Sequence, residues 1–443
     1  MRKLTKQLVA CIVFLGVTSP VFATNGYFSH GYGTKNKALA GAGVALPQDA
    51  MIAATNPAGM VWVGDRIDLG LAIFSPSPRS YDPSTFTTAP GPNDFPIAPG
   101  KVESDSDYFP IPHFGKNWVL DPSATIGLTI YGNGGMNTDY PGSAPCLNPS
   151  FPSGTYCAGA TGVNLSQLFI NTTYSRKINP QNSWGASLII AYQRFEATGV
   201  GSFAQFSTDP ANLSNNGTDD SYGFGLKFGW QGEVTPVLTL GASYQLEMKM
   251  GEFDKYKGLF AEQGGFNIPA TWTVGLAYTL PNTSKLVFDV QGIMYSDIAS
   301  IANPISPLLD GSCGVNPPAG PATGNGCLGA DGGAGFGWED MTIVKIGYQW
   351  AMPTMPSWTW RVGYSRGDQP IPDSETIFNI LAPGVMEQHL TFGFTRELPS
   401  NREFNFAFMY APETSVTGPN AMFPDQDITL KMRQWEMEGS YSW

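Results

Sequence analysis

The sequence predicts an all-β protein, a 14-stranded antiparallel transmembrane β-barrel with an N-terminal plug inside its lumen. Three observations lead there. Apolar residues recur at every second position with small or polar residues between them. The connections alternate between short turns and long excursions, and one N-terminal stretch is too rich in small residues to belong to the same sheet. Composition agrees: 52 Gly, 36 Pro, 13% aromatic and only 14% charged residues suit many strands joined by turns. A formal net charge of -12 argues against nucleic acid as a partner, because phosphate binding calls for a basic surface.

Residues 1–23 read as a signal peptide. Arg2, Lys3 and Lys6 precede an apolar run from Leu8 to Val17, and Val21-Phe22-Ala23 supplies small residues at a cleavage site. That run is about half of what a membrane-spanning helix needs. The mature chain is therefore expected to begin at Thr24, outside the cytoplasm.

Residues 24–65 form the expected plug. Gly33 to Met60 is Gly/Ala-rich and nearly free of aromatics, with Ala40-Gly41-Ala42-Gly43, an acid at Asp49, and Asn56-Pro57-Ala58. Pro57 fixes its own backbone and restricts Asn56, so this tripeptide should hold one defined turn.

Residues 66–443 carry the strands. A membrane strand needs roughly 9 to 11 residues, apolar toward lipid at every second position. Ile67, Leu69, Leu71 and Ile73 make the first such row, and Tyr222, Phe224, Leu226, Phe228 and Trp230 another. Leu238 to Met248, Trp272 to Leu280, Trp358 to Tyr364 and Phe404 to Tyr410 repeat the pattern. The chain ends on Trp435, Met437, Gly439, Tyr441 and Trp443. The opposite face is more often Gly, Thr or Ser than Lys or Glu, which favours a barrel in lipid over a soluble sandwich. Six short turns alternate with seven long connections near 76–107, 136–164, 200–220, 251–267, 297–337, 366–386 and 412–426, as in outer-membrane barrels with short periplasmic turns. Thirteen connections join fourteen strands. The third strand alternates cleanly only to Tyr131 and then meets Gly132-Asn133-Gly134-Gly135, where a bulge or kink is expected.

Four cysteines follow the signal. Cys146 and Cys157, and Cys313 and Cys327, are close in sequence within Gly/Pro/Ser-rich loops, so two local disulfides are expected in an oxidising compartment. Catalytic readings fail. Gly363-Tyr364-Ser365-Arg366-Gly367 fits G-x-S-x-G, but no helix pattern follows it as a nucleophile elbow requires. His30, His113 and His389 lack metal-ligand spacing. No enzyme, cofactor or metal is expected.

The small-residue stretch with Asn56-Pro57-Ala58, the fourteen strands, Tyr131-Gly132 and Asp139-Tyr140 in the third strand, and the terminal aromatic together resemble the FadL/TodX family of outer-membrane transporters for long-chain fatty acids and other hydrophobic compounds. The resemblance implies a monomeric barrel in the outer membrane of a Gram-negative bacterium. It implies capture of fatty acids or hydrocarbons at two extracellular loops, with Phe203 and Phe206 in one and Phe253, Tyr256, Leu259, Phe260 and Phe266 in the other. It implies release into the outer-membrane lipid through a side gap at the Gly132 to Gly135 kink, and basic lumen residues for a carboxylate head group. Here Lys345 and Arg361 face the lumen on adjacent strands and are expected to be near-diagonal neighbours; Arg194 matches a family position but alternates outward near the rim. A polar-solute porin or an adhesive barrel is the competing reading, which leaves the plug unexplained.

Overall fold

The computed structural model describes residues 25–91, 94–148, 150–315 and 320–443, so the expected signal peptide lies outside the described residues. Fourteen long strands follow one another as β1 (Arg66–Ser75), β2 (Phe109–Asp121), β3 (Ala124–Asn137), β4 (Gly162–Asn179), β5 (Asn182–Thr198), β6 (Asp219–Thr235) and β7 (Leu238–Gln245). They continue as β8 (Thr271–Thr279), β9 (Lys285–Ile293), β10 (Met341–Met352), β11 (Met355–Gly367), β12 (Gln388–Leu398), β13 (Arg402–Asn420) and β14 (Phe423–Ser442). Each pairs antiparallel with its sequence neighbours, and β14 returns to β1 with Leu69 opposite Tyr441. The sheet is closed.

Side-chain alternation sorts the wall into two faces. Leu69, Leu71, Phe224, Leu226, Val274, Val344, Phe392 and Met437 are exposed on the outside, where lipid belongs. Their neighbours point inward and are buried against residues 25–65, which occupy the lumen as two one-turn helices, α1 (Thr34–Lys37) and α2 (Ile52–Thr55), and a 3₁₀ turn at Pro57–Trp62. The lumen-facing glycines explain how. A Cβ on Gly185 or Gly229 would overlap the Asn56–Ala58 turn, and one on Gly363 would overlap the backbone of Leu39 and Ala40. The wall is glycine-rich where another backbone lies directly against it.

The connections differ in two places from the sequence expectation. The stretch 412–426 is not a long loop: β13 and β14 extend through it as strands of 19 and 20 residues and meet in a tight turn at 421–422. Arg79–Pro83 pairs with β14 at 428–432, beyond the end of β1, and so supplies part of the partner that these extensions need. The outward row of β7 also stops early. Pairing with β6 slips by one residue between Gln245 and Lys249, so Met248 turns inward and lies buried beneath Gly225 instead of facing lipid. Both loop cysteine pairs are bonded, Cys146–Cys157 with Cα atoms 5.2 Å apart and Cys313–Cys327 with 4.6 Å.

Because Gly229 leaves room for the Asn56 side chain, Gly229→Val should push this turn off the wall. Conductance in planar bilayers should then rise several-fold over the unmodified barrel. Gly439→Val, where a Cβ meets nothing within 4 Å, is the matched control and should leave conductance unchanged.

Candidate functional site

The lumen is polar and its charges are paired with residues 25–65. Lys37 Nζ lies 2.7 Å from both Glu436 and Glu438 of β14. Burial works against that charge, but the two carboxylates outweigh it and hold Lys37 above the ordinary lysine pKa. Lys35 and Arg66 share Glu403 at 2.7 and 2.9 Å. Asn56 is wholly buried: its Nδ2 donates to the carbonyls of Val44 and Trp230 at 2.7 and 3.0 Å, and its Oδ1 accepts from the Ala58 N–H at 3.1 Å. Pro57 and Ala58 follow in the 3₁₀ turn, and the Ala58 carbonyl accepts from Ser183 at 2.9 Å. His30 is pushed well below the ordinary imidazole range by burial, with Lys37, His389 and Lys345 adding to the effect.

The basic residues singled out from the sequence are not one site. Arg361 pairs across the ladder with Gln349, four residues from Lys345 on β10, which is about 13 Å along a strand. One carboxylate cannot bridge them. Both are already engaged: Lys345 donates to the His30 carbonyl at 3.0 Å, and Arg361 donates to Gln48, Gln349 and Thr395 at 2.8 to 3.2 Å. Arg194 lies on the outward face of β5 near Thr218, at 3.4 Å.

The loop aromatics divide into two groups. Phe203, Leu259 and Phe260 line an apolar cavity of about 40 Å³ with Val163, Phe195 and Val200. Phe336, Phe378 and Leu381 close its far side. Its only polar side chain, Ser300, is spent on the Gly265 carbonyl at 2.5 Å. Phe253, Tyr256 and Phe266 do not form an exposed patch; they are buried, packed on Phe195 or Phe260 with ring centroids 4.9 to 5.5 Å apart. Phe206 is half-buried at the edge of the same core.

At the extracellular end of β3 the wall changes character. The β2–β3 ladder stops at His113 opposite Tyr131, while β2 above that point stays on β1. β3 continues along β4 to Asn137 through a bulge between Gly132 and Gly134 that leaves Asn133 as the extra residue, so the strand is longer than its clean alternation. Its freed edge is taken by the N-terminal segment. The Ser29 N–H donates to the Asn133 carbonyl, and the Gly135 N–H to the Tyr27 carbonyl, each at 2.9 Å. Gly134 permits this, because a Cβ there would overlap the Tyr27 carbonyl. The Asn133 side chain heads a relay that the sequence did not reveal. Tyr32 Oη donates to Asn133 Oδ1 at 2.7 Å, Asn133 Nδ2 to Gln167 Oε1 at 2.9 Å, Gln167 Nε2 to Gln193 Oε1 at 3.0 Å, and Gln193 Nε2 to the Phe266 carbonyl at 2.7 Å. A fixed carbonyl at the end sets the direction of every bond. The relay ties the N-terminal segment, the bulge and the loop of Phe260 together.

Nothing catalytic competes with this reading. Ser365 Oγ lies 2.9 Å from His389 Nδ1, but it sits within the regular strand β11 and not on a strand-to-helix turn. Among the described residues no three His, Cys, Asp or Glu side chains gather to hold a metal.

A closed barrel with an apolar exterior, a filled lumen and an apolar cavity in its long loops defines a plugged outer-membrane barrel of the transport class. The chain belongs to the family of outer-membrane transport proteins described as OMPP1/FadL/TodX, whose model matches residues 17–422. Its place is the outer membrane, and its work is transport rather than catalysis. Among solved structures it resembles the Pseudomonas putida toluene transporter TodX, with a TM-score of 0.66 at 17% identity over 93% of this chain and 98% of that one. A Pseudomonas aeruginosa FadL homologue follows at 0.65 and 14%, covering 94% and 99%. The Ralstonia pickettii toluene transporter TbuX gives 0.60 at 16%, covering 93% and 98%. No curated protein matches the sequence.

Gln167→Leu should break the relay at its centre and leave the Asn133 amide and the Gln193 amide each short of a buried partner, a loss of about 1–3 kcal/mol per orphaned group. Backbone exchange at residues 132–135 should quicken, while exchange in β9 to β12 stays slow. Unchanged protection at the bulge would show that the relay does not hold it.

Proposed function

We propose that this chain is a passive, monomeric channel for hydrophobic molecules, with residues 1–23 as a cleaved signal, 24–65 as the hatch and 66–443 as the barrel. A solute enters the apolar cavity among Phe203, Leu259, Phe260 and Phe336. It then leaves sideways into the outer leaflet where β3 parts from β2. The observation that carries this reading is the parting of β2 from β3 at the bulge, where only the Tyr27–Ser29 backbone is hydrogen-bonded to the freed edge of β3. A lining that is apolar apart from the engaged Ser300 recognises apolar surface, so a hydrocarbon and the tail of a fatty acid are received alike. That the similar Pseudomonas putida and Ralstonia pickettii proteins are toluene transporters supports a small hydrocarbon as the first ligand to try.

A water-filled porin is the poorer fit. Such a pore needs an open, charged lumen, whereas here charged groups such as Lys37 and Lys35 are paired between the hatch and the wall.

Deletion of Asn133 tests the exit. Removing the extra residue lets Gly132 and Gly134 continue one register along β4 and should straighten the strand. Uptake of toluene or of a long-chain fatty acid by cells carrying this variant should fall at least several-fold, with assembly and loop binding retained. Full uptake through a folded variant whose structure shows β2 and β3 joined would end the lateral route; large steady conductance by the unmodified protein would favour the porin instead.

A further inference from the structure

Trp338 is only 2% exposed, yet it borders two separate spaces. A packed interior leaves few voids larger than a water molecule, so an indole that borders two of them is not ordinary core. The first is a cavity of about 20 Å³ that it shares with Phe74, Met136, Asn137 and Met432, just past the bulge of β3. The second is an open groove of about 570 Å³ among the long loops, edged by Asn303, Glu339 and Pro372.

The loop cavity is a neighbour as well. Phe336 and Leu381 line it, while Trp338 and 382–384, further along the same two segments, line the small cavity. These two segments divide the cavities, and Trp338 is the largest side chain in the division. Its ring is held by one hydrogen bond and by packing. Nε1 donates to Asn379 Oδ1 at 2.6 Å, and the Asn379 amide is oriented by donating to the Phe336 and Glu375 carbonyls at 2.6 and 2.7 Å. Gly384 makes room for the six-membered ring, since a Cβ there would come within 3.0 Å of Cζ2 and Cη2. The indole also packs on Tyr295 and Tyr27, with ring centroids 5.1 and 6.1 Å apart. Tyr27 is the residue whose carbonyl holds the freed edge of β3 at Gly135.

We infer that Trp338 is the gate between the loop cavity and the side exit, and that it sets the upper size of the hydrocarbon released. This rests on the lateral-channel reading above and names a specificity-determining residue for it. A solute in the loop cavity reaches the small cavity by displacing the indole, for which the adjoining groove has room. Displacement breaks the bond to Asn379 and unpacks Tyr27, so the passage and its outer cover loosen together. A narrow solute needs a small displacement and a broad one a large displacement.

The test compares uptake of labelled toluene and labelled hexamethylbenzene by cells carrying equal amounts of the full-length protein in the outer membrane. Trp338→Ala should raise the hexamethylbenzene-to-toluene ratio about tenfold, the scale on which an apolar site discriminates by size. Trp338→Phe keeps an aromatic ring on Tyr27 and Tyr295; it should shift the ratio the same way by less, and it carries the test if the alanine variant does not assemble. An unaltered ratio in the assembled alanine variant, or in the phenylalanine variant where only that one assembles, overturns the gate and leaves the channel reading intact. An equal rise for both solutes also overturns it, since that is a leak without selection. If cells with the unmodified protein take up toluene no faster than cells lacking it, both readings fall.

Discussion

A chain that crosses a bilayer in strands must satisfy every backbone N–H and C=O within itself, because the hydrocarbon offers no partner. Thirteen hairpin pairings and the return of β14 to β1 meet that demand around nearly the whole barrel. The shortfall falls on β3 above Tyr131, where β2 no longer pairs. There the Tyr27–Ser29 backbone supplies the bonds that a neighbouring strand would otherwise make. The N-terminal segment is therefore part of the sheet as well as the filling of the lumen, and its position and the state of the wall are one variable.

The remainder of the lumen shows how that segment is kept in place. A fourteen-stranded barrel is too wide for its own side chains to fill, since about eight strands already use up that space. Glycines at 185, 229 and 363 bring the wall to the backbone of the segment at the closest distance a chain allows. Several of the side-chain contacts are charged: Lys37 with Glu436 and Glu438, and Lys35 with Glu403, which Arg66 of β1 also holds. Buried pairs of this kind add little net stability, but losing one partner is strongly destabilising, so they fix register more than they strengthen.

The strands were legible because alternation has a period of two and lipid demands one uniformly apolar face; the rows at Leu69, Tyr222, Trp358 and Phe404 could be read one residue at a time. What defeated the reading was always a change of phase or a long-range choice of partner. The one-residue slip that turns Met248 inward leaves no mark on local hydrophobicity, since methionine suits either face. The strands that replace the expected loop at 412–426 are polar because they rise beyond the membrane. Gly132 to Gly135 announced the bulge through backbone freedom, but the parting from β2 had its own signal in Pro110 and Pro112, which offer no N–H to a ladder. Gln167 and Gln193 could not be singled out. Their importance lies in the Asn133 side chain and the Phe266 carbonyl, neither of which is near them in sequence.

These features also weigh the two ways out of the barrel. An axial route requires the segment to leave the lumen, which separates Lys37 from two carboxylates, Lys35 from Glu403, and Asn56 from the carbonyls of Val44 and Trp230. Breaking one buried ion pair alone costs about 3–5 kcal/mol. The side route leaves those ion pairs in place. Releasing Ser29 from Asn133 and Gly135 from Tyr27 breaks two backbone bonds worth about 0.5–1.5 kcal/mol each, together with the Tyr27 N–H bond to Tyr295 and the burial of Tyr27 and Phe28. On the lateral route proposed above, Tyr27 to Ser29 are the part of the segment that a solute from the loop cavity has to displace, while the rest stays anchored by its ion pairs.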